Sequence, residues 1–181
     1  MFDRTSGKGT LTAGNSSTLT DGAAAIWVAT AEGISRLPHN TPRVRLVDFE
    51  IAAVDIFTEG LLMAPVSAIP RILARRGLKF DDIALWEIHE AFSAQVLCHI
   101  NLEDKNFVRE KAGVEHDFGV FPRDRMNPNG GSVALGHPFA ATGVRILSQA
   151  VKELAAMSKG SRAIVSICAD GGLGTVALLE N

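Results

Sequence analysis

A chain of 181 residues with 18 basic and 20 acidic side chains, formal net charge −2, fits one domain or one domain with part of a second. The near balance, without a basic block, argues against a nucleic-acid partner, and no apolar run approaches the ~18–20 residues that span a bilayer. Two cysteines, Cys98 and Cys168, are too few for a disulfide framework or a four-cysteine zinc site, so a reduced, cytoplasmic setting is the default.

The first residues lack the apolar core of a signal peptide. Gly9-Thr-Leu-Thr-Ala-Gly-Asn-Ser-Ser17 is polar and glycine-punctuated. Residues 23–31, with Ile26, Trp27 and Val28, then read as a buried strand. A short helical piece runs through Arg36, and Pro-His-Asn-Thr-Pro at 38–42 reads as a linker.

Beyond the linker, residues 44–54 alternate as a strand, and Pro65–Arg76 has a helical period with proline in its first turn and Gly77 as its stop. Residues 83–88 read as a strand, 91–102 as a helix that puts Cys98 on a core face, and 103–126 as a charged surface excursion. A helix over 139–157 and strands over 162–169 and 175–180 complete the chain. The order predicts an α/β fold, a mixed five-stranded sheet with helices packed on it.

Three reactive side chains fall at strand or helix ends. His89 closes the strand over 83–88, Cys168 ends the strand over 162–169, and His137 precedes Pro138 at a helix start. Open α/β sheets place ligands at that edge. The positive end of a helix would keep His137 neutral, as a general base requires. The same field would favour thiolate at Cys168 if Gly171-Gly172 turns N–H groups toward it, and those groups could alternatively hold an oxyanion. Bland alternatives stand beside these: a helix cap for His137 and for His89, and a small buried apolar residue for Cys168. His39, His99 and His116 have no supporting context.

Four segments together resemble the C-terminal part of thiolases. They are Gly9–Ser17 with Asp21-Gly-Ala-Ala24, His89-Glu-Ala-Phe92, Asn129-Gly-Gly-Ser-Val-Ala-Leu-Gly-His-Pro138, and Cys168-Ala-Asp-Gly-Gly172. The histidine in His89-Glu-Ala-Phe92 and the long stretch after it are similar to the trifunctional-complex β-subunit type of fatty-acid oxidation. The resemblance implies a remnant of the N-terminal thiolase domain over 1–40 and the C-terminal thiolase domain over 41–181.

It also implies acyl transfer between 3-ketoacyl-CoA plus CoA and acyl-CoA plus acetyl-CoA, in fatty-acid β-oxidation or acetoacetyl-CoA metabolism. His137 would activate a nucleophilic cysteine, Cys168 would act as acid and base, and His89 would support an oxyanion hole together with the backbone N–H of Asp170. Ala13, Gly14 and Ser17 would lie along pantetheine, and Ala91 and Phe92 would line its channel. No metal or redox cofactor is implied, CoA thioesters being substrates.

Two departures qualify the match. Asp170 stands where the family has glycine or alanine, and an inward carboxylate would oppose a thiolate and an oxyanion. Neither Cys98 nor Cys168 lies in the motif of the family's nucleophilic cysteine, so the chain is expected to be inactive alone. Its expected partners are CoA and acyl-CoA, a second copy of itself or a complementary N-terminal thiolase chain, and a β-oxidation α-subunit. A non-catalytic acyl-CoA-binding or interaction module is the alternative. Half of a ketoacyl synthase ranks lower, because such enzymes use two histidines and no cysteine at the Cys168 position.

Overall fold

A computed structural model describes residues 2–3 and 5–181. Four strands form one sheet in the order β1-β4-β3-β2, with β1 at Arg45–Ala53, β2 at Leu85–Ile88, β3 at Arg162–Ala169 and β4 at Leu173–Glu180. The β1/β4 and β4/β3 pairs are antiparallel, and β3/β2 is parallel. The expected mixed sheet is therefore present with four strands rather than five.

The apolar run over 23–31, read from the sequence as a buried strand, forms no strand. It enters no sheet and lies at the surface, with Trp27 88% and Val28 91% exposed. Composition alone suggested burial there, but among the described residues the run pairs with none of the four strands. Its end turns into α1 (Ala31–Ser35), capped by the Thr30 side chain on Gly33 N–H.

Helix α2 spans Pro65–Arg76 as its period predicts, and Gly77 closes it in the left-handed conformation, φ +64°. Arg75 and Arg76 in its last turn pair with Asp48 of β1, at 3.1 and 2.7 Å. Helix α3 is Ser93–Ile100. Within the stretch expected to be irregular, α4 forms at Lys105–Ala112, because Asp104 accepts from the Asn106 and Phe107 amides and Gly113 ends it. Only Val108 and Ala112 of α4 are buried, one i,i+4 pair, too few to register as a period.

The short α5 (Ser132–Leu135) and the long α6 (Phe139–Ala155) follow. Alternation along the strands loads both sheet faces. Trp86 and Ile88 of β2 join Ile69, Ile72 and Leu73 of α2 and Phe80, Phe118 and Phe121 in the larger core. Leu85, Ala163, Val165 and Leu179 face Ile146, Ala150 and Leu154 of α6 on the other side. Among the described residues no helix is long and apolar enough to cross a membrane.

Candidate functional site

The parallel β2/β3 pair sets the site, because the C-terminal ends of both strands open at one edge of the sheet. His89 continues β2 and donates its backbone N–H to Ser166 of β3, 2.9 Å. Cys168 lies two residues farther along β3, buried, and packs in one cluster with Leu62, Ala91 and Phe92. The third group, His137, arrives from the loop between α5 and α6, and its ring lies 4.2 Å from that of His89, centroid to centroid. Two histidines 48 positions apart in sequence thus meet where β2 ends, and Cys168 lies near the end of the neighbouring β3.

The glycine-rich N-terminal segment ties this edge together. Ser17 N–H donates to Ala91 O at 2.9 Å, Ser16 bridges to Phe92, and His137 N–H donates to Thr18 O at 2.7 Å. Residues 16–19 therefore link the His89 segment to the His137 loop. Close approach explains Gly136, whose missing Cβ would overlap the Thr20 side chain. Ala13 and Gly14 form an exposed turn just before this link, while Ser17 and Phe92 are half-buried and Ala91 is buried.

A second clamp was invisible in the sequence. Asn127, held at φ +46°, lays its carboxamide along the end of β2. Its Oδ1 accepts from Ile88 N–H at 2.8 Å, and its Nδ2 donates to Ile88 O at 2.9 Å and Glu90 Oε1 at 2.6 Å. The other Glu90 oxygen accepts from Val133 N–H in the first turn of α5, 3.1 Å. Gly131 lies so close to this carboxylate that a Cβ would overlap it, so the glycine serves a close approach, not merely a tight turn.

Burial governs the protonation of all three groups. It lowers His89 from 6.5 to about 3, with His137, Arg145 and His99 adding charge repulsion. It also lowers His137, assisted by Arg145, so burial and a nearby guanidinium favour the neutral imidazole expected there. His137 Nδ1 is hydrogen-bonded with Thr142 Oγ1 at 2.7 Å, leaving Nε2 for chemistry.

Cys168 departs from expectation. Burial pushes its thiol up to about 12, away from thiolate. The Gly171 N–H, a candidate for stabilising a negative charge, is taken by the Asp170 carboxylate at 2.8 Å. Asp170 is exposed and its side chain folds onto its own turn.

The helix-cap alternative for His89 is displaced by Gln95. Gln95 Oε1 accepts from the Ala91 and Phe92 amides, and its Nε2 donates to His89 O. His99, set aside in the sequence, is buried and hydrogen-bonded with Leu62 O at 2.7 Å and Gln95 Nε2 at 3.0 Å. Cys98 is exposed rather than on the core face expected for it. Helix α3 buries Gln95, Val96, His99 and Ile100 instead, a stripe rotated by one position.

Glu87, on the face of β2 toward α6, is buried, and its Oε1 has no partner. Burial first, then Glu153 and Glu90, raise its carboxyl from 4.5 to about 8 against the opposing pull of Arg145. A folded state that keeps a proton the unfolded chain has released loses stability as pH rises from 4.5 to about 8. Glu87→Gln is expected to match the parent below that window and to exceed it by about 1–3 kcal/mol at about pH 9. Urea unfolding across pH checks this, and an offset independent of pH would contradict it.

Comparison with known proteins identifies the family. The family model for the thiolase C-terminal domain matches residues 40–181. A 3-ketoacyl-CoA thiolase of Shewanella amazonensis is 40% identical over 181 residues, 99% of this chain and 40% of the relative. Two structures of the peroxisomal thiolase of Saccharomyces cerevisiae match the fold. One, described as dimeric, does so with TM-score 0.70 at 28% identity, over 99% of this chain and 40% of its own. The other, described as five-layered and constructed from two core domains of identical topology, has TM-score 0.57 at 32% identity, over 76% and 34%.

A thiolase of Ascaris suum solved with coenzyme A matches with TM-score 0.69 at 30% identity, over 97% of this chain and 40% of that one. The chain spans about 40% of the length of the curated relatives it matches. Family model, sequence relatives and fold agree, and the chain belongs to the thiolase family.

Proposed function

We propose that this chain supplies the acid–base half of a 3-ketoacyl-CoA thiolase site, whose nucleophilic cysteine comes from the other core domain of a complete enzyme. The juxtaposition of His89 and His137, 4.2 Å between ring centroids, with Cys168 near the end of the neighbouring strand β3, carries this reading. His137, neutral and anchored through Nδ1, would take the proton of the incoming cysteine at Nε2. His89 would hold the thioester oxygen, with the Asp170 backbone N–H as second donor.

Cys168, a protonated thiol in its apolar setting, would deliver a proton to the acetyl carbanion when the carbon–carbon bond breaks. Pantetheine would run past Ala13, Gly14 and Ser17 toward Ala91 and Phe92. That placement has support in the hydrogen bond from Ser17 to Ala91 and the Ser16–Phe92 bridge.

The exposed apolar surface fits a missing half. Helix α6 packs on β2 and β3, leaving Phe49, Ile51 and Leu173 of β1 and β4 uncovered beside Val144 and Leu147. A face of this kind calls for a cover, and a second core domain, as in the five-layered yeast enzyme, would provide one. Residues 1–40 would then belong to that domain and 41–181 to the C-terminal one.

The test is complementation with the upstream half of the Shewanella amazonensis thiolase and acetoacetyl-CoA as substrate. The chain alone is expected to show no thiolysis, and the co-purified halves to show turnover lost in Cys168→Ala and His137→Ala. Turnover by the chain alone, abolished by Cys168→Ala, would sink the claim that the nucleophile lies elsewhere. A stable but inactive complex that binds CoA in calorimetry would favour the non-catalytic binding module instead.

A further inference from the structure

One side chain near the site stands between a histidine and a cation. Ser132, the first residue of α5, is fully buried, and its hydroxyl has two neighbours. His89 Nδ1 lies at 2.9 Å and Arg145 Nη2 at 3.2 Å. A guanidinium can only donate, so Arg145 occupies a lone pair of Ser132 Oγ.

The hydroxyl proton has two possible destinations. If His89 Nδ1 carried a hydrogen and donated it, Ser132 Oγ would receive two donors and its own proton would be buried without an acceptor among the described residues. If Ser132 O–H donates to a bare Nδ1, the hydroxyl proton and the ring nitrogen satisfy each other while Arg145 Nη2 keeps its acceptor. Buried hydroxyls strongly favour the second arrangement. His89 remains neutral near pH 7, through burial first and then the repulsion of His137, Arg145 and His99. A neutral imidazole with a bare Nδ1 holds its proton on Nε2.

We propose that Ser132 and Arg145 are positioning residues that lock His89 in the Nε2–H tautomer and make it a fixed hydrogen-bond donor to a carbonyl oxygen. Among the described residues Nε2 has no partner of its own, so its hydrogen is available to a ligand. Arg145 contributes twice. It orients the hydroxyl, and its charge disfavours imidazolium on both rings. The use of this donor as an oxyanion support rests on the thiolase function proposed above, whereas the tautomer itself does not.

Long-range proton–nitrogen NMR of the full chain labelled with ¹⁵N-histidine reads the tautomer without turnover, with His89 assigned by its loss in His89→Gln. A pyrrole-type Nε2 and a pyridine-type Nδ1 are expected at neutral pH. Ser132→Ala is expected to raise the Nδ1–H population about tenfold, the weight of one hydrogen bond, and Ser132→Thr to restore the parent pattern. Arg145→Gln, which leaves the serine in place, is expected to shift the same ratio in the same direction and covers the case in which Ser132→Ala does not fold. A parent protein with Nδ1 protonated, or nitrogen shifts unmoved in the variants, overturns the assignment. A correct tautomer in a complemented enzyme that shows no turnover overturns only the thiolase function.

Discussion

Asn127→Ala is expected to destabilise the fold by about 3–5 kcal/mol, because two buried backbone groups of β2 and one carboxylate oxygen lose their partner together. Asn127 acts as a one-residue strand beside Ile88, accepting from its amide and donating to its carbonyl. Alanine offers neither group, and the space is too enclosed for bulk water to replace both. The backbone adds to the cost, since φ +46° suits asparagine and strains alanine.

Against a typical domain stability of about 5–15 kcal/mol, such a loss is a large fraction of the whole. Asn127→Asp is the informative companion. It keeps the acceptor for Ile88 N–H but sets oxygen against Ile88 O and the Glu90 carboxylate, so it should recover stability on acidification while the alanine variant does not. Urea unfolding followed through Trp86 fluorescence measures both. An alanine variant within about 1 kcal/mol of the parent would remove the clamp from the account of the site.

That residue also marks the limit of what the chain discloses by itself. Helix α2 is legible because its signals are local: Pro65 in the first turn, Gly77 left-handed at the end, and an apolar face between them. His89, His137 and Cys168 are legible as candidates because each adjoins a strand or helix end. Their supports are not. Asn127 lies 39 positions from Ile88 and Ser132 43 from His89, distances at which no spacing rule applies. The run over 23–31 failed for a related reason. Apolarity states a need for burial, but only a packed partner surface satisfies it, and Trp27 and Val28 remain 88% and 91% exposed. Even adjacent Gly130 and Gly131 divide their duties: Gly130 supplies a positive φ and Gly131 a gap for Glu90.

The adjacent glycines after Cys168 allow the same distinction to be tested by substitution. Both have positive φ, +81° at Gly171 and +77° at Gly172. Around Gly171 a Cβ meets open space, so Gly171→Ala is expected to cost only the left-handed strain, about 1–2 kcal/mol. At Gly172 a Cβ would overlap Val54 O, on the same residue whose N–H donates to Gly172 O at 2.9 Å. Relieving that overlap separates the β3–β4 turn from the end of β1 and breaks the hydrogen bond, so Gly172→Ala is expected to cost about 3–5 kcal/mol.

The damage should reach Cys168, which sits four residues before Gly172. Cys98 is exposed and Cys168 buried, so a thiol reagent should react with the parent in a fast phase and a slow one. Gly172→Ala should accelerate the slow phase while leaving the fast phase unchanged, and Gly171→Ala should alter neither. Equal losses of stability in the two alanine variants would mean that conformational strain alone, and not the contact with Val54, holds Cys168 at the edge of the sheet.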